Sequence, residues 1–186
     1  MLSNSKSLME SAHNLGKAPL SERFCAKPFI NIEVGRHPEN AINVCCPSWL
    51  STPLGLLKDQ PQELLEIWNS KKAQLIRQSI HDGSFKYCNH QRCGRIQCGD
   101  LPLRSEISDP VLRQYIDQKM TILPDKPRIL NLANDRSCNL SCPSCRTEKV
   151  LLREGAEFES INRITAFFQS TRHTLILIEC FDGVGN

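Results

Sequence analysis

Three cysteines in the stretch Asn134-Asp135-Arg136-Ser137-Cys138-Asn139-Leu140-Ser141-Cys142-Pro143-Ser144-Cys145-Arg146 stand in a C-x3-C-x2-C spacing, directly after the apolar run Ile129-Leu130-Asn131-Leu132-Ala133. The run reads as a buried strand, so the thiols are delivered together on the loop that follows it. Thiolates crowded onto one loop repel one another unless a cation or a cluster takes up their charge, and sulfur ligands favour soft metals. Three ligands leave a four-iron cluster with one iron lacking a protein donor, and that open position is where substrate chemistry can take place.

Ten cysteines in 186 residues force a choice between disulfides and metal. The first 22 residues are polar and broken by Gly16 and Pro19, with no charged-then-apolar leader, and no apolar run approaches membrane-spanning length. The expectation is a cytoplasmic protein with no membrane association. In that reducing compartment clustered cysteines bind metal more often than they pair with each other. A net charge of +3, with Lys and Arg scattered along the chain, gives no argument for a nucleic-acid partner.

Taken in order, residues 1–24 form a loose lead-in. Phe29-Ile30-Asn31-Ile32-Glu33-Val34 alternates like a half-buried strand, and Ala41-Ile42-Asn43-Val44 returns beside it as a hairpin. That hairpin brings Cys25, just before its first strand, close to Cys45-Cys46 at the end of its second. A single amphipathic helix is predicted over residues 61–83, opened by Pro61, stopped by Gly83, and carrying Trp68 on its core stripe. Cys88, Cys93 and Cys98 follow in a C-x4-C-x4-C spacing. With Cys25 and either Cys45 or Cys46 they can close a four-thiolate site around one metal centre. A tetrahedral zinc site, from four cysteines or from three with His90, is the competing reading, although C-x4-C is wider than the usual zinc knuckle.

Asp109-Pro110 begins a further predicted helix, placed in a bridge over residues 106–126. After Cys145, Val150-Leu151-Leu152 and then Phe158, Ile161, Ile164, Phe167 and Phe168 give helical stripes broken at Gly155. Leu175-Ile176-Leu177-Ile178 then reads as a parallel strand covered on both faces.

The C-x3-C-x2-C loop after a strand resembles the signature of the radical S-adenosylmethionine (SAM) superfamily. The resemblance implies a [4Fe-4S] cluster on Cys138, Cys142 and Cys145, with SAM on the fourth iron, and reductive cleavage of SAM to a deoxyadenosyl radical that abstracts hydrogen from a substrate. It also implies a glycine-rich SAM contact after the second strand, for which Gly183, Val184, Gly185 and Asn186 stand, and a small electron-donor protein such as a flavodoxin or ferredoxin. Ser144 stands where that signature usually has an aromatic, and Asn186 where it usually has an acid.

Cys25-Ala26-Lys27-Pro28-Phe29, Cys45-Cys46-Pro47, Leu54-Gly55-Leu56, Glu66-Ile67-Trp68-Asn69-Ser70, Ile76-Arg77 and the cysteines after them look like a SPASM-type auxiliary cluster module. This second resemblance implies another [4Fe-4S] cluster on Cys25, one of Cys45 and Cys46, Cys88 and Cys93, with Cys98 a spare or substitute ligand. The module usually follows the barrel and here precedes it.

The fold expected is α/β: a small α+β cysteine-rich module over residues 25–105, the bridge, and the first part of a parallel (β/α) radical SAM barrel over residues 127–186. The sequence supplies about two βα units there, so the expectation is a chain that stops early in its barrel. Three functions compete: a radical SAM enzyme, a non-catalytic iron-sulfur remnant, and a zinc-binding interaction module.

Overall fold

The computed structural model describes residues 18–57, 64–138, 149–171 and 177–179. Five strands, β1 (Asn31–Val34), β2 (Ala41–Asn43), β3 (Gly55–Leu56), β4 (Ile129–Leu132) and β5 (Leu177–Glu179), form one open mixed sheet in the order β3-β2-β1-β4-β5. The first three pair antiparallel, while β1 with β4 and β4 with β5 run parallel. The architecture is therefore mixed α/β.

The hairpin forms as its alternation requires, with Glu33 opposite Asn43 and Val34 opposite Ile42. Its first strand is shorter than predicted, because Lys27–Ile30 coils into one helical turn, α1, with Pro28 in its first positions. Gly55–Leu56 adds a short edge strand, antiparallel to β2.

The segment expected to be one helix is broken. Within it α2 (Leu64–Trp68) ends at Asn69, and α3 (Lys71–His81) starts afresh from Ser70, whose hydroxyl accepts the amide of Ala73 at 3.4 Å. Asn69 is diverted to tertiary bonding: its carboxamide accepts from the Leu123 amide at 3.0 Å and donates to the Leu123 carbonyl at 2.9 Å. Gly83, at φ 76°, stops α3, and any Cβ there would fall 2.5 Å from the Cα of Ser21. A short helix that the sequence reading did not include, α4 (Gly94–Cys98), follows and ends at left-handed Gly99.

Asp109 caps α5 (Pro110–Asp117) as expected, accepting the amides of Val111 and Leu112. It also binds Arg128 at 2.6 Å, which fixes the approach to β4. The last helix, α6 (Ala156–Thr171), begins after Gly155; Val150 is no part of it, pairing instead with Cys138 in an isolated bridge.

Period-two alternation gives the sheet two unlike faces. Ile32, Val34, Ile42 and Leu130 are fully buried in one core with Trp68, Ile76, Ile80, Tyr115, and Ile164 and Phe168 of α6. The other face carries Asn31, Glu33, Asn43 and Asn131.

The expected division between a cysteine module and a barrel half does not divide the sheet. β1 pairs with β4 along its whole length, from Asn31 opposite Ile129 to Val34 opposite Leu132. Both strands present apolar side chains at the same register, and joining them buries one row against the next.

Candidate metal centre

Cys25, Cys45, Cys88 and Cys93 line one small cavity, walled otherwise by Pro28, Trp49, Leu50, Phe85, Ile96 and Leu101. Three pieces of chain deliver them. Cys25 immediately precedes α1, and Cys45 leaves the end of β2; these two ends are held together because Asn31 of β1 donates its carboxamide to the Val44 carbonyl at 3.1 Å. The third piece is the loop after α3. There the Asn89 side chain accepts the amides of Gln91 and Arg92, and the Asn89 amide donates to the Trp49 carbonyl at 2.6 Å. This Asx turn folds Cys88 and Cys93 back toward the segment after Cys45.

Burial is the chief influence on Cys25, Cys45 and Cys88. Together with the neighbouring cysteines it raises the pKa of Cys25 and pushes Cys45 and Cys88 up to about 12. Thiols held protonated in this way are poor nucleophiles. Working in the other direction, the amide of Lys27 donates to the Cys25 sulfur and that of Cys46 to the Cys45 sulfur, while Arg95 and Lys27 favour the Cys25 thiolate. The site thus combines convergent sulfur donors, an apolar wall and amides aimed at sulfur, a donor set that suits a soft metal or cluster.

The structure separates the adjacent and repeated cysteines that the sequence leaves equivalent. Cys46 is exposed, its sulfur 3.1 Å from the Ser48 hydroxyl, whereas Cys45 enters the cavity. Cys98 is exposed at the end of α4, whereas Cys93 is buried. His90 stands off the cavity, its Nε2 3.1 Å from the Phe85 carbonyl. Among the described residues no three His, Cys, Asp or Glu side chains are placed to hold a single metal ion.

Of the second cysteine group only Cys138 is described; Cys142, Cys145 and the four residues Gly183, Val184, Gly185 and Asn186 lie outside the described residues. Cys138 follows β4 and is anchored by its amide, which donates to the Val150 carbonyl at 2.6 Å. Nearby, Leu152 donates to the Ser137 hydroxyl and Arg136 pairs with Glu157 of α6. The four-thiol cavity lies where β1 begins and β2 ends, whereas Cys138 lies past the end of β4. Because β1 and β4 are parallel, the cavity and Cys138 lie at opposite ends of the same strands.

A polar row crosses the sheet between these ends and was missed by the sequence reading. Glu33 faces Asn43 on one side and Asn131 on the other, and it accepts from the Asn131 carboxamide at 3.3 Å. Burial raises the pKa of Glu33. In β5 the backbone of Glu179 pairs in register with Asn131. The signal was present as polar residues at alternate positions of otherwise apolar strands.

No family model, curated protein or solved structure matches the chain.

Proposed function

We propose that this chain is an iron-sulfur protein of the radical SAM kind, with an auxiliary cluster on Cys25, Cys45, Cys88 and Cys93 and a SAM-associated cluster on Cys138, Cys142 and Cys145. The observation that carries the reading is the convergence on one apolar cavity of four thiols from three separate pieces of chain. A zinc ion would hold its sulfurs about 2.3 Å from one centre, and among the described residues no three His, Cys, Asp or Glu side chains are placed to hold a single ion. In a cubane each thiolate binds its own iron, and a wider ring of donors serves.

The auxiliary cluster supplies one-electron chemistry when bound. Around it Pro28, Leu50, Phe85 and Leu101 exclude water, the Lys27 and Cys46 amides offset charge on the sulfurs, and all four cysteines give up their protons. With four protein ligands this site has no position for a substrate. Cys138 follows the carboxyl end of a parallel strand, the end at which α/β folds present their chemistry, and a cluster held by only three thiols would leave one iron without a protein ligand.

Mössbauer spectroscopy on anaerobically reconstituted protein tests this, with and without SAM, beside a triple variant Cys138→Ala, Cys142→Ala, Cys145→Ala. The expected result is two cubane clusters falling to one in the variant, with one iron of the parent perturbed by SAM. Zinc retention without iron uptake would overturn the reading. A parent whose clusters ignore SAM, and which yields no deoxyadenosine when reduced, would leave a non-catalytic iron-sulfur protein.

A further inference from the structure

An open cleft of about 590 Å³, a size that holds a small molecule, lies against the polar row of the sheet. Its lining comes from three places. Glu33 and Asn43, opposite each other in register, belong to the sheet itself. The turn from β1 to β2 adds Pro38 with charged groups on either side of it, and the connection from β2 to β3 adds Pro47 and Pro53. The cleft therefore sits toward the end of β1 away from the four-thiol cavity, and the two share no lining residue.

On the sheet, acceptors outnumber donors. Glu33 is half-buried and accepts one hydrogen bond, from the Asn131 carboxamide at 3.3 Å. Asn131 keeps its own Oδ1 buried with no hydrogen-bond partner. Asn43, only 4 % exposed, donates to the Ala41 carbonyl at 3.4 Å, which leaves its oxygen for a ligand. Among the described residues Glu33 forms no ion pair, and Lys27 favours its carboxylate only through space. A carboxylate drawn partly out of water without a counter-ion, beside an amide oxygen without a donor, is unfavourable; a bound cation that donates hydrogen bonds relieves both.

We propose that this cleft binds a small organic ammonium ion, its charged head on Glu33 beside the Asn43 and Asn131 carboxamides and its apolar body against Pro38, Pro47 and Pro53. A primary ammonium brings a positive charge, three donors and no acceptor. A hydroxyl brings one donor and no charge, so it answers the same groups less fully. Among the lining residues of the turn, Arg36 and Glu39 are exposed and opposite in sign and His37 is half-buried, which leaves Glu33 to set the preference for a cation. The inference is independent of the iron-sulfur reading, since no cysteine lines the cleft and binding there needs no metal.

Isothermal titration calorimetry on the full chain at neutral pH tests it with three probes of nearly one shape: benzylammonium, benzyl alcohol and benzoate. We expect benzylammonium to bind saturably, roughly tenfold more tightly than either of the others, and to weaken with salt. Glu33→Gln keeps an acceptor for Asn131 and removes the charge; the preference for benzylammonium over benzyl alcohol should disappear while the alcohol binds as before. Arg36→Glu, at an exposed position, should tighten benzylammonium roughly two- to threefold, and it decides the matter if Glu33→Gln fails to fold. Equal affinity for the cation and the alcohol, an unchanged preference in Glu33→Gln, or tighter binding of a neutral sugar such as glucose would overturn the proposal. So would a benzylammonium titration that shows no saturation by about 20 mM.

Discussion

The guanidinium of Arg77 lies 4.3 Å from the centroid of the Trp68 ring and donates to the carbonyl of Trp68 itself at 2.8 Å. Both side chains are wholly buried. Arg77 also donates to the Pro28 carbonyl, the Asn69 side chain and the Thr121 carbonyl, so one fork ties α1, the α2–α3 break and the chain before β4. Burial lowers its pKa to about 9, which still leaves it charged at neutral pH.

Replacing that fork should be costly. Arg77→Met takes the guanidinium donor away from four acceptors and is expected to destabilise by about 3–5 kcal/mol. Arg77→Lys keeps the charge but not the planar geometry and should recover less than half of the loss. Urea unfolding followed by Trp fluorescence measures both.

Neighbouring cysteines should behave oppositely. Cys45→Ser and Cys93→Ser are expected to lose the auxiliary cluster, while Cys46→Ser and Cys98→Ser keep it, because only the first two line the cavity. Iron and sulfide counts after anaerobic reconstitution decide the point. Equal losses from Cys45→Ser and Cys46→Ser would show that the two exchange as ligands.

His81 makes stability depend on mild acid. Its ring packs against Phe29 with centroids 5.2 Å apart, its Nε2 lies 2.9 Å from the Met120 carbonyl, and burial holds its pKa below the ordinary 6.5. The folded state therefore favours neutral imidazole, whereas the unfolded chain takes up a proton as pH falls through 6.5. Stability is complete above that pH and declines below it, by at most about 1.4 kcal/mol per pH unit for one proton. Melting temperatures should be level close to neutral pH, below the range where the buried thiols affect stability, and fall under mild acid; His81→Leu should flatten the decline.

Asp109 does two jobs that substitution can separate. Asp109→Ala removes the cap of α5 together with the Arg128 bridge, and should cost about 1–2 kcal/mol. Asp109→Asn keeps a capping oxygen and loses only the partly exposed ion pair, a change of under about 1 kcal/mol. Denaturant midpoints of the two variants should differ accordingly.

What the sequence made legible was local. Cys25 and Cys45-Cys46 could be brought together on paper because a hairpin needs only alternation and a turn, and Trp68 could be put in the core because it sits on a helical stripe. The choice between Cys45 and Cys46 could not be made that way. It depends on how the chain turns as it leaves β2, which the Trp49–Asn89 bond fixes from more than forty positions along the chain. Arg77 looked like an ordinary helix cation because its partners at residues 28, 69 and 121 are distant in sequence. The break at Asn69-Ser70 was legible in principle, since Ser is a helix starter, but the apolar periodicity ran straight across it.

The pairing of β1 with β4 has a practical consequence for anyone dissecting this protein. Residues 25–105 expressed alone would carry β1 as a raw edge, its main-chain donors and acceptors bared along the side where β4 belongs and its apolar row half uncovered. Residues 127–186 alone would carry the matching edge. Each fragment would hold a ready template for the other and for copies of itself, so the halves should clump when made separately and recover solubility when made together.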